Sequence, residues 1–168
     1  RTALSDLKGA GRLIPNPAMP VRSLLLQEAR RSSNIENIVT TNDAIYRALN
    51  HEEWETHPHV KEVLRYSDAL WHGIMALRSG RTLSSSLFVE IASEIKGAEL
   101  HIRNLPGTVI HDTVAQQTIY TPPVGADRIR NLLDNLSEFY YSDNGLDPLV
   151  KMAIGHDQFE AIHPLRDG

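Results

Sequence analysis

Cysteine is absent from all 168 positions, which excludes a disulfide framework and any thiol chemistry. No apolar run is long enough to span a bilayer, and no charged-then-apolar signal opens the chain. These absences fit a cytoplasmic protein that does not use a membrane. Internal repeats and low-complexity tracts are missing too. So is a strong charge of one sign, the formal net charge being −4. That small value hides an uneven spread. Residues 1–31 hold six basic side chains (Arg1, Lys8, Arg12, Arg22, Arg30 and Arg31) against Asp6 and Glu28, a surplus of four that leaves a deficit of eight in the rest. The basic residues are scattered among apolar ones without interleaved aromatics, which describes a solvated surface and gives no support to nucleic-acid binding. His72, His101 and His111 show no close metal-ligand spacing and read as packed or solvated. The chain opens on Arg1 and not on Met, which predicts a trimmed N-terminus.

What is present is ordinary globular material, 41% hydrophobic and 23% charged, of a length suited to one compact domain or one domain with a small helical annex. A short helix and a Pro15–Pro17 turn open the chain. Helical spacing follows from Pro20 through Val21, Leu24, Leu25 and Ala29. Ser33 and Glu36 stand in the S-x-x-E spacing of a capping box, which predicts a helix start there. Thr41 and Asp43 predict another start. A long helix is expected over Val60–Leu77 with Gly80 as its cap, and a further one from Ser84–Ser86 to Gly97. Trp54 and Trp71 read as packing residues. Residues 104–125 lack helical period, and Thr118-Ile119-Tyr120-Thr121 before Pro122-Pro123 reads as an edge strand or small hairpin. Ile129, Leu132, Leu133, Leu136 and Phe139 define the buried stripe of a helix over 126–140.

Asp147 and Pro148 start the last helix, a capping acid before proline at the first helical position. Leu149, Met152, His156, Phe159 and His163 share one face of it, so that face is expected to be buried. His156 reads as a packed, hydrogen-bonded core histidine. The helix breaks at Pro164. A histidine at a helix end, a carboxylate four residues on and a glycine beyond can gather a base, a metal ligand and an anion-binding turn in one place.

The run His163-Pro164-Leu165-Arg166-Asp167-Gly168, preceded by Phe159 and Ile162, resembles the opening of the Fic family motif, HPFxDGNGR. Leu165 stands where Phe is usual, and the Asn-Gly-Arg half lies past Gly168, so the chain reads as a fragment. Ser32-x-x-x-Glu36-Asn37 resembles the family's (S/T)xxxE(G/N) inhibitory motif. Tyr120-Thr121-Pro122-Pro123 is similar to the Y-x-P-P of its β-hairpin flap. The three stretches occur in the family's order, over about residues 10–168. The resemblance implies an all-α fold, a Fic-type helical bundle with a small β-hairpin flap and an N-terminal helical annex. Residues 1–55 would form the N-terminal helical region with the inhibitory motif, and 56–168 the core, incomplete at its C-terminal end.

The activity so implied is transfer of AMP from ATP to a hydroxyl side chain of a protein target, which can be the chain itself. His163 would be the general base, apt because an imidazole titrates near pH 6.5, roughly the working range. Asp167 would hold Mg²⁺ against the phosphates. Gly168 would open a backbone nest for the nucleotide. Ser32, Glu36 and Asn37 would form the inhibitory motif, with Glu36 pairing with the motif's second arginine in place of phosphate. Thr118, Ile119, Tyr120, Thr121, Pro122 and Pro123 would dock the target by backbone hydrogen bonds. A homodimer is compatible with this. Two alternatives stand beside it: a Fic-type enzyme that transfers phosphate or phosphocholine, and a non-enzymatic helical interaction module.

Overall fold

A computed structural model describes residues 2–11, 13–16, 18–35, 37–50, 57–112 and 115–166. Its elements are α1 (Thr2–Gly11), α2 (Ala18–Ile35), α3 (Asn42–Asn50), α4 (Pro58–Arg78), α5 (Ser85–Lys96), β1 (Ile110–Asp112), β2 (Gln117–Tyr120), α6 (Ala126–Tyr141) and α7 (Pro148–Ile162). Among the described residues the fold is therefore all-α with one small antiparallel hairpin. No helix among the described residues is long and apolar enough to cross a membrane. Two compact units emerge, Arg1–Met75 with Glu94–Gly97, and Ala76–Ser93 with Ala98–Gly168.

The first unit closes around Ala29 of α2, Ile45 and Ala48 of α3, and Val60 and Val63 of α4, with Leu26, Ala44, Leu64 and Tyr66 packed against them. These are spaced three or four apart on each helix, so each contributes one apolar stripe. Thr41 caps α3, its Oγ1 accepting from the Ala44 N–H at 3.1 Å, as expected from sequence. The S-x-x-E reading fails for Ser33. Helix α2 runs on through Ser32 and Ser33 to Ile35, and Ser33 is 3% exposed. The pattern marks the end of a helix and not a start. Asn37, at φ 65°, provides the left-handed residue, while Asn37 N–H reaches the Asn34 carbonyl at 3.2 Å and Ile38 N–H the Ser33 carbonyl at 2.9 Å. That pair of bonds is a Schellman closure. Elsewhere in this unit Arg22 lies 4.5 Å over the Trp71 ring, and His72 Nδ1 is 2.8 Å from Glu94.

The second unit is built on the antiparallel contact of α6 with α7. Ile129, Leu133 and Leu136 are fully buried with Ile162, and Phe88, Ile102, Leu132, Phe139, Tyr140 and Phe159 pack around them. Phe88 and Phe159 meet with ring centroids 4.8 Å apart. Asp147 accepts from the Leu149 N–H at 3.0 Å and Pro148 follows, so α7 starts as its sequence predicts. Lys151 of α7 donates to the Tyr140 and Ser142 carbonyls at 3.2 and 2.6 Å. A cation thus closes the negative end of α6.

The buried face of α7 differs from the one its spacing predicts. Gly155 and Ile162 are its buried residues. Leu149 and Met152 are 51% and 57% exposed, and His156 is exposed and not packed in the core. The reason is steric. A Cβ at position 155 would overlap the Tyr140 ring and hydroxyl, so the glycine makes room for that side chain of α6. Apolar residues lie on every side of α7, with Lys151, His156, Asp157, Gln158 and Glu160 spread among them, so its periodicity could not choose among faces.

Candidate active site

Helix α7 delivers His163. The residue is the helix's C-cap, in left-handed conformation at φ 45° and ψ 67°, and its N–H donates to the Phe159 carbonyl at 3.0 Å. Pro164 follows and cannot continue a helix. His163 is half-buried, while Pro164 and Leu165 are buried. Leu165 at 3% exposure thus fills as an aliphatic group the place where the family motif has an aromatic one.

A helix end leaves carbonyls without partners inside the helix. Here the partners come from far along the chain. Tyr120 donates its hydroxyl to the Ala161 carbonyl at 2.9 Å. Arg103 Nη2 donates to the Ile162 carbonyl at 3.0 Å and Nε to the His163 carbonyl. The Arg103 N–H donates to the Pro164 carbonyl at 2.9 Å. Four successive carbonyls, from residue 161 to 164, are therefore held by two residues of the segment leading into and through the hairpin. Arg103 is 4% exposed. Burial lowers its pKa from the ordinary guanidinium value, against a smaller opposing influence from Tyr120, and it remains a cation as arginine does. A positive group at this point also complements the negative end of α7.

Asn104 does the converse for the neighbouring helix. Helix α6 has Gly125 as its N-cap, with no side chain to close it. The Asn104 Oδ1 accepts from the Ala126 N–H at 3.1 Å instead. Ile102, Arg103 and Asn104 consecutively fill the core, close the end of α7 and close the start of α6. Sequence reading missed Arg103 and Asn104. Each acts on a helix tens of residues away, and no local spacing announces that.

The hairpin forms as expected. β1 and β2 pair antiparallel, with Ile110 opposite Tyr120, His111 opposite Thr118 and Asp112 opposite Gln117, and an irregularity between Ile110 and His111. Every residue of β2 is exposed, so Thr118, Ile119 and Tyr120 lie on an open strand. Thr121 is exposed, Pro122 buried and Pro123 half-buried. Through Tyr120 this strand is joined to the end of α7 that carries His163.

The other expected site residues fall elsewhere. Ser32 lies in the last turns of α2 and donates to Glu28 at 2.7 Å, and Asn37 ends that helix in the first unit. Glu36, Asp167 and Gly168 lie outside the described residues. Among the described residues no group of three or more His, Asp or Glu side chains could hold a metal ion. Mg²⁺ commonly keeps its waters and takes one or two carboxylates plus phosphates. A single acid such as Asp167 would therefore meet its needs without such a group.

Helix α7 thus ends in a clamped histidine turn that is joined through Tyr120 to a small β-hairpin. Residues 1–75 match the model for the Fic/DOC family N-terminal region, and residues 82–168 match the model for the Fic/DOC family itself. The chain belongs to the Fic/DOC family, and its general class is that of a Fic-family transferase.

Proposed function

We propose that the protein transfers AMP from ATP to a hydroxyl side chain of a protein target, with Glu36 as an internal brake. The observation that supports this best is the His163 turn: a half-buried histidine at a helix end, held by buried Arg103, beside an exposed strand. The target segment pairs with the edge of β2 and brings its hydroxyl to His163. His163 accepts the hydroxyl proton as the oxygen attacks the α-phosphorus. A new P–O bond forms to the target, the bond from the α-phosphorus to the bridging oxygen breaks, and pyrophosphate leaves. Asp167 would hold Mg²⁺, which when bound supplies charge neutralisation at the phosphates. Gly168 would begin the phosphate nest. Glu36 would occupy the partner of the phosphates until displaced, so that inhibition is a local charge substitution. A cytoplasmic location, which the absence of cysteine fits, goes with this reading.

The test uses ATP labelled at the α-phosphate, the full-length protein and a lysate as target source. Label should enter protein with the parent and fall by about 10²-fold or more with His163→Ala, in keeping with the loss of a general base. Labelling from γ-labelled ATP alone would replace AMP transfer with phosphate transfer. Undiminished labelling by the variant would remove His163 from the mechanism.

A further inference from the structure

We infer that Arg103, assisted by Tyr120, is a positioning residue that sets the orientation of His163, an inference that rests on the reading of His163 as the base. The grounds are geometric. His163 is itself the left-handed residue and precedes Pro164, a conformation that its Cβ and the following proline ring both disfavour, so it depends on being held from outside. Its backbone carbonyl and those on either side of it are fixed by Arg103, through Nη2 to Ile162, Nε to His163 and the backbone N–H to Pro164. Arg103 is buried, and the geometry of one planar fork fits two consecutive carbonyls at once. Lysine has a single ammonium and cannot reproduce that fork. Tyr120 adds the Ala161 carbonyl. Because Tyr120 also ends the exposed strand β2, pairing of a target with that strand is linked by one hydrogen bond to the last turn of α7, two residues before the base. Neither residue touches the reacting atoms in this account. Their effect passes through the placement of the His163 ring, and a displacement of about 1 Å at a catalytic group can lower the rate by about 10²-fold.

The experiment combines kinetics with a direct view of the histidine. Full-length parent, Arg103→Lys and Tyr120→Phe are compared for kcat and for KM toward ATP. Each is also labelled with ¹⁵N-histidine, and the His163 ring resonances are followed through a pH titration, with His163→Ala supplying the assignment. Arg103→Lys should lower kcat by about 10- to 100-fold, leave KM for ATP within about twofold and displace the His163 resonances. Tyr120→Phe removes one hydrogen bond at a partly exposed site and should lower kcat by about two- to tenfold. A merely structural role would reduce the folded fraction without moving the resonances of the molecules that remain folded. Parent-like resonances in folded Arg103→Lys would therefore overturn the inference, as would a parent-like kcat. If Arg103→Lys does not fold, Tyr120→Phe decides alone, and parent-like kcat and resonances there overturn it. A parent without AMP transfer would dispose of the proposed activity, while the His163 resonances would still report whether the clamp orients the ring.

Discussion

Helices α2 and α7 both end on a non-glycine residue in left-handed conformation, Asn37 at φ 65° and His163 at φ 45°, yet they are closed in different ways. The end of α2 is closed by its own backbone, through bonds from Asn37 to Asn34 and from Ile38 to Ser33. The end of α7 has one local bond, from His163 to Phe159, and its last carbonyls are closed by Arg103 and Tyr120, which are remote in sequence. A local closure depends only on neighbouring residues and can fray and re-form by itself. A remote closure ties the helix end to the tertiary structure and fixes where its last side chain points. Asparagine tolerates the left-handed region because its short polar side chain bonds locally. Histidine bonds less readily to its own backbone, so the left-handed conformation of His163 depends more on the contacts made around it.

The largest effect on stability is expected where α7 is tied most closely. Ala in place of Gly155 would gain helix propensity of about 1 kcal/mol. Its Cβ would also overlap the Tyr140 ring and hydroxyl, and overpacking of this kind costs about 1–3 kcal/mol. We expect the overlap to fall at the upper end of that range and to win, leaving Gly155→Ala destabilising by about 2 kcal/mol, with Tyr140→Phe in the same chain recovering part of the loss. Thermal unfolding of the single and double variants checks this. A melting point for Gly155→Ala at or above that of the parent would show that α6 and α7 are not in contact at Gly155.

The next effect concerns whether the end of α2 does more than stop a helix. The capping-box alternative is weakened, because Ser33 is buried inside α2 and begins no helix. If Glu36 is the brake, Glu36→Gly in the full-length protein should raise AMP transfer, including self-modification, by about tenfold, which corresponds to about 1.4 kcal/mol of barrier. Adding His163→Ala should silence the gain. Incorporation of α-labelled AMP by parent, single and double variants measures both. Unchanged or lower incorporation would leave α2 with an ordinary helix end.

How legible each region was from sequence follows the same division. Helix stops that are closed locally were legible: Gly80 and Gly97 take the positive φ expected of them. So were starts with a local cap, at Thr41 and Asp147. The α6 stripe was legible because polar residues separate its apolar ones. The hairpin was legible from β-branched residues next to prolines. The motif around His163 was recognisable from residue identities alone. What holds His163 was not, since an arginine in an irregular stretch is usually solvated, and only the folded chain brings Arg103 to the end of α7. The buried face of α7 was not legible because a helix whose apolar and polar residues are mixed on all sides carries no phase. The capping-box alternative fails at Ser33, which lies inside α2, because S-x-x-E spacing does not state on which side of it the helix lies.

The smallest effect sharpens the comparison most directly. Glycine relieves left-handed strain, and alanine cannot, at a cost of about 1–2 kcal/mol when the conformation is enforced. The stability gap between the Gly and Ala variants therefore measures how firmly each helix end is held. The extra freedom that glycine gives the unfolded chain is the same at both positions, so it cancels when the two gaps are compared. At position 37 the alanine variant can relax by fraying the last turn of α2, since only backbone bonds within that turn resist. At position 163 relaxation would break the bonds from Arg103 and leave carbonyls unpaired in a buried setting, at about 1–3 kcal/mol each. The chain should instead keep its conformation and bear the full strain. We therefore expect the gap between His163→Gly and His163→Ala to exceed that between Asn37→Gly and Asn37→Ala by about 0.5–1 kcal/mol. Denaturant unfolding of the four variants supplies both gaps. Equal gaps, or a larger one at position 37, would mean that the Arg103 clamp does not hold the His163 turn more firmly than a local closure holds the end of α2.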